Sequence, residues 1–442
     1  MSTRTFINIS AIVAFLTPFI RDSNELLNVY HDFTPYRVRI SNLSSSCCLQ
    51  HADQFLGCED MKLVGDTIYT ACNTDLRNRQ KYWPEYSRQP RPWSGDKFYR
   101  WDTDTDSVVE IDLRGIPGDD GTAETRSFHG FDVNVLADGT VSIYAINHLR
   151  HESVIDKFHH SSNTTFATHV ARLNTTVPGA PPHPNNVFSL PERDAENAIY
   201  VTNDHLYSAG PWRFFEEAAK PQWAWVSFHS ERTGWKKALE RVAGANGIAG
   251  DKYIDGRRVY VSEIFRGIIR VLEPVGDDGE LKEVQQVKVG MLGDNVGRFG
   301  DDLYIAGAAK GMAVDHFMRD PETAGSPGTV IKRINTKQLG GGFFGGGYTA
   351  DPIVELLVKD DGKFANMTTS SVFKSYQVEA PVKIEPKEED DEEMVPEQPL
   401  GKTKGDLFIT GLQFKGRILQ PLESVKAWTY TALYRDHEVH KF

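Results

Sequence analysis

The sequence predicts an all-β protein, a six-bladed β-propeller, and three observations carry that reading. Glycine and proline number 37 and 22, a proportion that favours many short strands over long helices. Six segments share one pattern: a turn residue, a β-branched residue or leucine, an aromatic, then small or β-branched residues. They read GDTIYTA (65–71), DGTVSIYAI (138–146), NAIYVTN (197–203), GRRVYVSE (256–263), GDDLYIAG (300–307) and GDLFITG (405–411). Each has the form of a short strand following a tight turn. Their aromatics, Tyr69, Tyr144, Tyr200, Tyr260, Tyr304 and Phe408, lie 75, 56, 60, 44 and 104 residues apart. Irregular intervals of that size suit four-stranded blades with variable loops, and six copies give six blades. A β-sandwich is the competing architecture.

The propeller is expected over residues 40–440, which accounts for most of the 442-residue chain. That length is ample for a large core. With 40% hydrophobic and 25% charged residues, the chain is a folded soluble type. Its net charge of −12 argues against nucleic acid as a partner, because phosphate binding needs a basic face. Nine acids against four lysines in residues 378–404 supply −5 of that charge. This stretch has four prolines and no aromatic residue, so it is expected to be a disordered insertion in the last blade. Within it, VKIE at 382–385 has the form of a SUMO-attachment site, accidental in a secreted protein.

Ahead of the repeats, the uncharged run TFINISAIVAFLTPFI lies between Arg4 and Arg21. Sixteen residues are short for a membrane span and right for the apolar core of a secretory signal. Residues 1–21 are therefore expected to be a signal peptide or signal-anchor, with a buried N-terminal helix as the alternative. This places the protein in the secretory pathway, extracellular or anchored, and allows membrane or lipid association through that segment. Glycosylation sequons at Asn42, Asn163, Asn174 and Asn366 agree. The four cysteines (Cys47, Cys48, Cys58, Cys72) fall in one early stretch without a zinc-type pattern, so one or two local disulfides are expected. GGGFFGGG (340–347) lacks the lysine and helix start of a phosphate loop.

If each aromatic marks the same strand of its blade, residues a similar distance upstream lie at one level. Nine to fifteen positions before the aromatics stand Glu59 with Asp60, His129, Asn185 with Asn186, Asn246, and Asp294 with Asn295. The innermost strands of a propeller converge on its axis, so these groups should meet there. Carboxylate and amide oxygens converging without cysteine describe a hard-cation site, best suited to Ca²⁺. His129 and His148, both assigned to one blade, could move a proton between solvent and a reacting water. Each residue taken alone is as well explained as a turn or structural residue.

At these residues the chain resembles the paraoxonase and arylesterase family of calcium-dependent six-bladed propeller hydrolases. The matching stretches are LGCEDM, FHGFD, INH, HPNNV followed by YVTNDH, GANGI, MLGDNV and the terminal ALY, spread from about Cys48 to Tyr434. The resemblance implies a catalytic calcium held by Glu59, Asn185, Asn246, Asp294 and Asn295, and a histidine pair at His129 and His148 with His205 nearby. It also implies a second, structural calcium using Asp60, the backbone carbonyl near Phe131, and an aspartate where this chain has Asn186. The family's end-to-end disulfide would join Cys48 to a position where Arg435 stands, so closure must rest on strand pairing, or on a local pair such as Cys48 with Cys58 or Cys72. A further family histidine is replaced by Ala308 and Ala309.

The expectation is thus a calcium-dependent hydrolase of aryl esters or lactones with a small-molecule substrate. Calcium would polarise the carbonyl, and His129, assisted by His148, would activate water. No G-x-S-x-G elbow occurs, so a serine nucleophile is not supported. A sugar-lactone hydrolase of gluconolactonase type and a non-catalytic binding propeller are the alternatives.

Overall fold

The computed structural model describes residues 38–40, 47–49, 51, 54–55, 57–73, 75, 93–190, 198–207, 210–252, 258–308, 313–314, 317, 326–339, 352–360, 370–376, 403–410 and 432–439. Two short strands, β1 (Val38–Ile40) and β2 (Cys47–Leu49), come first. An antiparallel meander follows, made of β3 (Asp60–Val64), β4 (Thr67–Cys72), β5 (Lys97–Asp102) and β6 (Ser107–Arg114). A second comprises β7 (Phe128–Val135), β8 (Val141–His148), β9 (Ser153–His160) and β10 (Phe166–Asn174), and joins the first where β10 runs parallel to β6. The third is β11 (Pro184–Ser189), β12 (Ile199–Asn203), β13 (Ala224–Ser230) and β14 (Gly234–Val242), with helix α1 (Pro211–Ala219) inserted after β12. β15 (Ala245–Gly250), β16 (Val259–Glu263), β17 (Ile268–Val275) and β18 (Glu280–Lys288) form the fourth. Next come β19 (Leu292–Phe299), β20 (Asp302–Ala308), β21 (Thr329–Asn335) and β22 (Val354–Asp360), with β1 added parallel to β22. Finally β23 (Ser370–Tyr376), β24 (Thr403–Thr410) and β25 (Ala432–Val439) take β2 as an antiparallel fourth strand. The protein is therefore all-β, and the first described strands, β1 and β2, complete its last two described sheets.

First strands of successive meanders pack on one another, from β3 through β7, β11, β15 and β19 to β23, and β23 packs back on β3. The burial patterns follow from this order. Strands β8, β11 and β15 are buried at every position, whereas the fourth strands β10, β14 and β18 have substantial exposure. A strand covered on both faces reads as a continuous apolar run, and one with a wet face alternates. Apolar clusters lie between neighbouring meanders, for example Phe188, Val226 and Phe228 with Ile248, Val261 and Leu272. Tyr69, Tyr144, Tyr200, Tyr260 and Tyr304 all lie on second strands and are at most 2% exposed.

The cysteine pairing differs from the expected one. Cys58 bonds Cys72, joining the approach to β3 with the end of β4. Cys48 lies on β2 opposite Leu433, and this register sets position 435 two residues beyond its direct partner. Strand β24 begins at Thr403, so the end of the expected insertion 378–404 belongs to a strand. The rest of that stretch, like residues 1–21, lies outside the described residues. Asn163 and Asn174 are exposed. Among the described residues no helix is long and apolar enough to cross a membrane.

Candidate functional site

Four first strands carry the same irregularity. Pairing of β7 with β8 jumps from Phe128 opposite Asn147 to Phe131 opposite Ala145. The jump on β11 runs from Pro184 to Val187, on β15 from Ala245 to Ile248, and on β19 from Gly293 to Val296. Each is a one-residue β-bulge, a device that re-aims side chains and recurs beside active sites. The residues it releases from the ladder are His129–Gly130, Asn185–Asn186, Asn246–Gly247 and Asp294–Asn295. Tyr69 faces Lys62 across the first meander as Tyr144 faces Asp132 across the second, so Glu59 and Asp60 hold the same two positions.

Glycine at two of the bulges sets how closely the strands approach. A Cβ on Gly130 would lie 2.5 Å from the Asn185 carbonyl oxygen and 2.7 Å from Asn186 Cα, and one on Gly247 would lie 2.5 Å from Asn295 Cα. Backbone cannot give way as a flexible side chain can, so these positions need glycine for packing.

The side chains form a connected polar group. Asn295 Nδ2 donates to Glu59 Oε1 at 3.0 Å, and Asn186 Nδ2 donates to Asn295 Oδ1. Asn246 hydrogen-bonds Asp294, and burial, reinforced by the Asp60 and Asp204 charges, pushes that carboxyl up to about 8. Burial alone would raise Asp204 too, but the His205 imidazole at 3.0 Å, with Arg213 and His183, holds it well below the usual carboxylate range. His129 Nδ1 lies 3.0 Å from His148 Nε2, whose ring continues through Nδ1 to Ser153 Oγ at 2.8 Å. On its other side His129 Nε2 is 3.6 Å from Glu59 Oε1. Glu59, His129, His148, Asn185, Asn246, Asp294 and Asn295 are all 8% exposed or less.

The first expected metal set fits a hard cation. Asn185 Oδ1 and Asn246 Oδ1 are buried without a hydrogen-bond partner among the described residues, a condition native structures avoid unless an ion or water completes it. No group of three or more His, Cys, Asp or Glu side chains among the described residues is arranged to hold a metal. The set therefore depends on its amide oxygens, which suits calcium rather than zinc.

In the second set, Asp60, Phe131 and Asn186, the carboxylate is already met by donors of the chain. Asp60 Oδ1 accepts from Met61 N–H at 2.8 Å and Ser370 Oγ at 2.9 Å. Asp60 Oδ2 meets Lys62 Nζ at 2.8 Å, Phe131 N–H at 3.3 Å and Asn186 Nδ2 at 3.4 Å. The group of Phe131 that meets this carboxylate is its N–H, a donor, whereas the resemblance implied a carbonyl near it.

Sequence reasoning missed Ser153, Lys62 and Ser370. Ser153 lies directly opposite His148 in the β8–β9 hairpin, a pairing that depends on an irregular four-residue turn. Lys62 had a readable signal, since residues two apart on a strand share a face with Asp60. Ser370 is 310 residues from Asp60 and had none.

A model of the arylesterase family matches residues 97–340, more than half of the chain. Human serum paraoxonase/lactonase 3 is 27% identical over 169 residues, which cover 38% of this chain and 44% of that protein. Rat serum paraoxonase/arylesterase 2 is 26% identical over 208 residues, covering 47% and 54% respectively. The matches span about half the length of these curated relatives. Among solved structures, a luciferin-regenerating enzyme superposes with a TM-score of 0.45 at 10% identity, covering 90% of this chain and 97% of that one.

Proposed function

Because the chain belongs to the arylesterase family, we propose that it is a calcium-dependent hydrolase of carboxylic esters, acting on aryl esters or lactones. The observation that carries this reading is the repeated bulge. It turns Asn185, Asn246 and Asp294 out of the ladder at positions matching Glu59, and Asn295 at the position matching Asp60, with two amide oxygens buried and without a hydrogen-bond partner among the described residues. Those five residues would hold the ion. When bound, calcium supplies polarisation of the ester carbonyl and offsets the charge that develops on its oxygen.

The histidine pair handles the proton. With Nδ1–H of His129 donating to His148 Nε2, and Nδ1–H of His148 donating to Ser153 Oγ, His129 Nε2 is the basic nitrogen that takes a proton from water. Hydroxide adds to the carbonyl carbon as that proton arrives. Glu59 at 3.6 Å stabilises the resulting imidazolium. When the C–O bond breaks, the proton returns from Nε2 to the leaving oxygen, which restores the neutral pair.

The cyclic order of first strands supports a six-bladed propeller over residues 40–440, with an acidic insertion at 378–402 that ends where β24 begins. Residues 1–21 would serve as signal or anchor, delivering the protein to the secretory pathway and permitting lipid association. One calcium is proposed, not two. Rates on phenyl acetate and on aliphatic and sugar lactones, each with and without EDTA, test the reading. EDTA-resistant hydrolysis, or none of any substrate by calcium-loaded protein, would overturn it.

A further inference from the structure

The position expected for a second calcium already contains a cation supplied by the chain. Lys62 Nζ lies 2.8 Å from Asp60 Oδ2, with the lysine side chain 15% exposed and the aspartate fully buried. The two residues share one face of β3 by the period of the strand. Asp60 is one of an alternating series of buried charges. Lys62 lies within the field of Asp132 and, more weakly, of Glu59 as well as Asp60, and Asp132 Oδ2 meets Lys252 Nζ at 2.8 Å. Lys252 also donates to the Val133 carbonyl oxygen at 2.5 Å and to Asn134 Oδ1 at 2.9 Å. The directly paired groups, Asp60 with Lys62 and Asp132 with Lys252, are thus two carboxylates and two ammonium groups.

The calcium set above differs. Glu59 and Asp294 bring two carboxylates, and every other proposed ligand there is a neutral amide. One divalent cation balances that pair of charges, while a second at Asp60 would join Lys62 and meet the N–H groups of Met61 and Phe131. Like charges in a buried site oppose each other strongly. Asn186, neutral where a carboxylate would be needed, agrees with this balance.

We infer that the Lys62 ammonium is the permanent counter-ion of Asp60 and takes the place of a structural metal, so the protein binds calcium at one site and its inner strands are held together around Asp60 without metal. The count of one rests on the calcium reading above; the exclusion of metal from Asp60 does not.

The test is calcium stoichiometry of the full chain, by equilibrium dialysis followed by elemental mass spectrometry, for the wild type and for Lys62→Met combined with Asn186→Asp. The expected result is one ion per wild-type chain and two per double variant. No ion in the wild type would overturn the calcium reading but still support the assignment of Lys62. Two ions in the wild type would overturn the assignment of Lys62 and leave the calcium reading standing. A folded double variant that takes no more calcium than the wild type would also count against the replacement. If the double variant does not fold, the wild-type count decides, since it separates the two occupancies of Asp60 without any substitution.

Discussion

His129 and His148 meet through Nδ1 and Nε2 at 3.0 Å, although they sit on different strands of one meander and are 19 residues apart in the chain. The bulge between Phe128 and Phe131 makes this contact possible, because it releases His129 from the ladder while His148, at the end of β8, stays in register with Ser153. The His129 ring is thereby aimed at both His148 and Glu59, and the His148 ring is tied to Ser153. A fixed ring that accepts a hydrogen bond from its neighbour's N–H makes the neighbour's other nitrogen a better base.

Replacing the base should separate proton transfer from metal binding. His129→Gln should lower kcat by about 10²–10⁴-fold, the usual worth of general-base catalysis. Calcium affinity, read by isothermal titration, should stay within a few-fold of wild type, since the histidine is not among the proposed ligands. Asn246→Ala should do the reverse, losing calcium affinity first and activity with it. Full activity in His129→Gln would remove it from the mechanism.

Ser153 acts through His148 as a positioning residue. Loss of its hydroxyl in Ser153→Ala should reduce kcat by roughly tenfold, at the lower end for a supporting hydrogen bond, with little change in KM. The pH at which the rate reaches half its maximum should move too, because the hydroxyl sets which tautomer of His148 is favoured. Ser153→Thr should restore both, which a merely structural role would not require.

Much of this site was legible, and the reason lies in the repeated aromatics. Glu59 and Asp294 stand ten residues before their tyrosines, Asn246 fourteen, His129 and Asn185 fifteen. Those unequal distances conceal a constant: the residue facing each tyrosine lies two positions after the second residue of each pair, as with Lys62, Asp132, Phe188, Ala249 and Gly297. Hairpin length varies, and the cross-strand register does not. The bulges themselves were hidden, since an extra residue leaves no mark in an alternation already broken by full burial. The cysteine pairing was equally hidden, because four cysteines within 26 residues allow several pairings and only the hairpin brings Cys58 to Cys72. Long-range contacts such as Ser370 with Asp60 depend on closure of the ring and have no local trace.

Gly247→Ala should disrupt both fold and site. The new methyl would overlap backbone of Asp294 and Asn295, where no rotamer change relieves it. Overpacking of this kind costs about 1–3 kcal/mol or more. Urea unfolding should show that loss, and calcium affinity should fall with it as β15 moves from β19. An alanine variant with wild-type stability and affinity would mean that the close approach is not needed.

The Cys58–Cys72 bond closes a short loop beside Glu59, with 14 residues of separation. On the chain-entropy model a loop of that length is worth about 3 kcal/mol. The double variant Cys58→Ser, Cys72→Ser should therefore lose about that much in chemical denaturation. Because Cys58 directly precedes Glu59, weaker calcium binding should accompany it. A stability loss with unchanged calcium affinity would show that the disulfide does not position Glu59.

The last prediction concerns pH and stability away from the site. His160 is fully buried, its Nδ1–H donates to the Phe166 carbonyl oxygen at 2.8 Å, and its Nε2 has no partner among the described residues. Burial, with a smaller contribution from the Arg100 charge, holds this imidazole below its ordinary value of 6.5. Burial likewise lowers His229. A histidine whose folded pKa is depressed binds its proton more readily in the unfolded chain. Stability from its neutral form is thus fully present above about pH 6.5 and is lost as pH falls below that value, until the folded pKa is reached. Urea midpoints measured between pH 8 and 5 should decline over that window in the wild type. His160→Gln, which keeps a donor for the Phe166 carbonyl but cannot titrate, should decline less steeply. Equal slopes for the two proteins would show that His160 takes up its proton without leaving the fold.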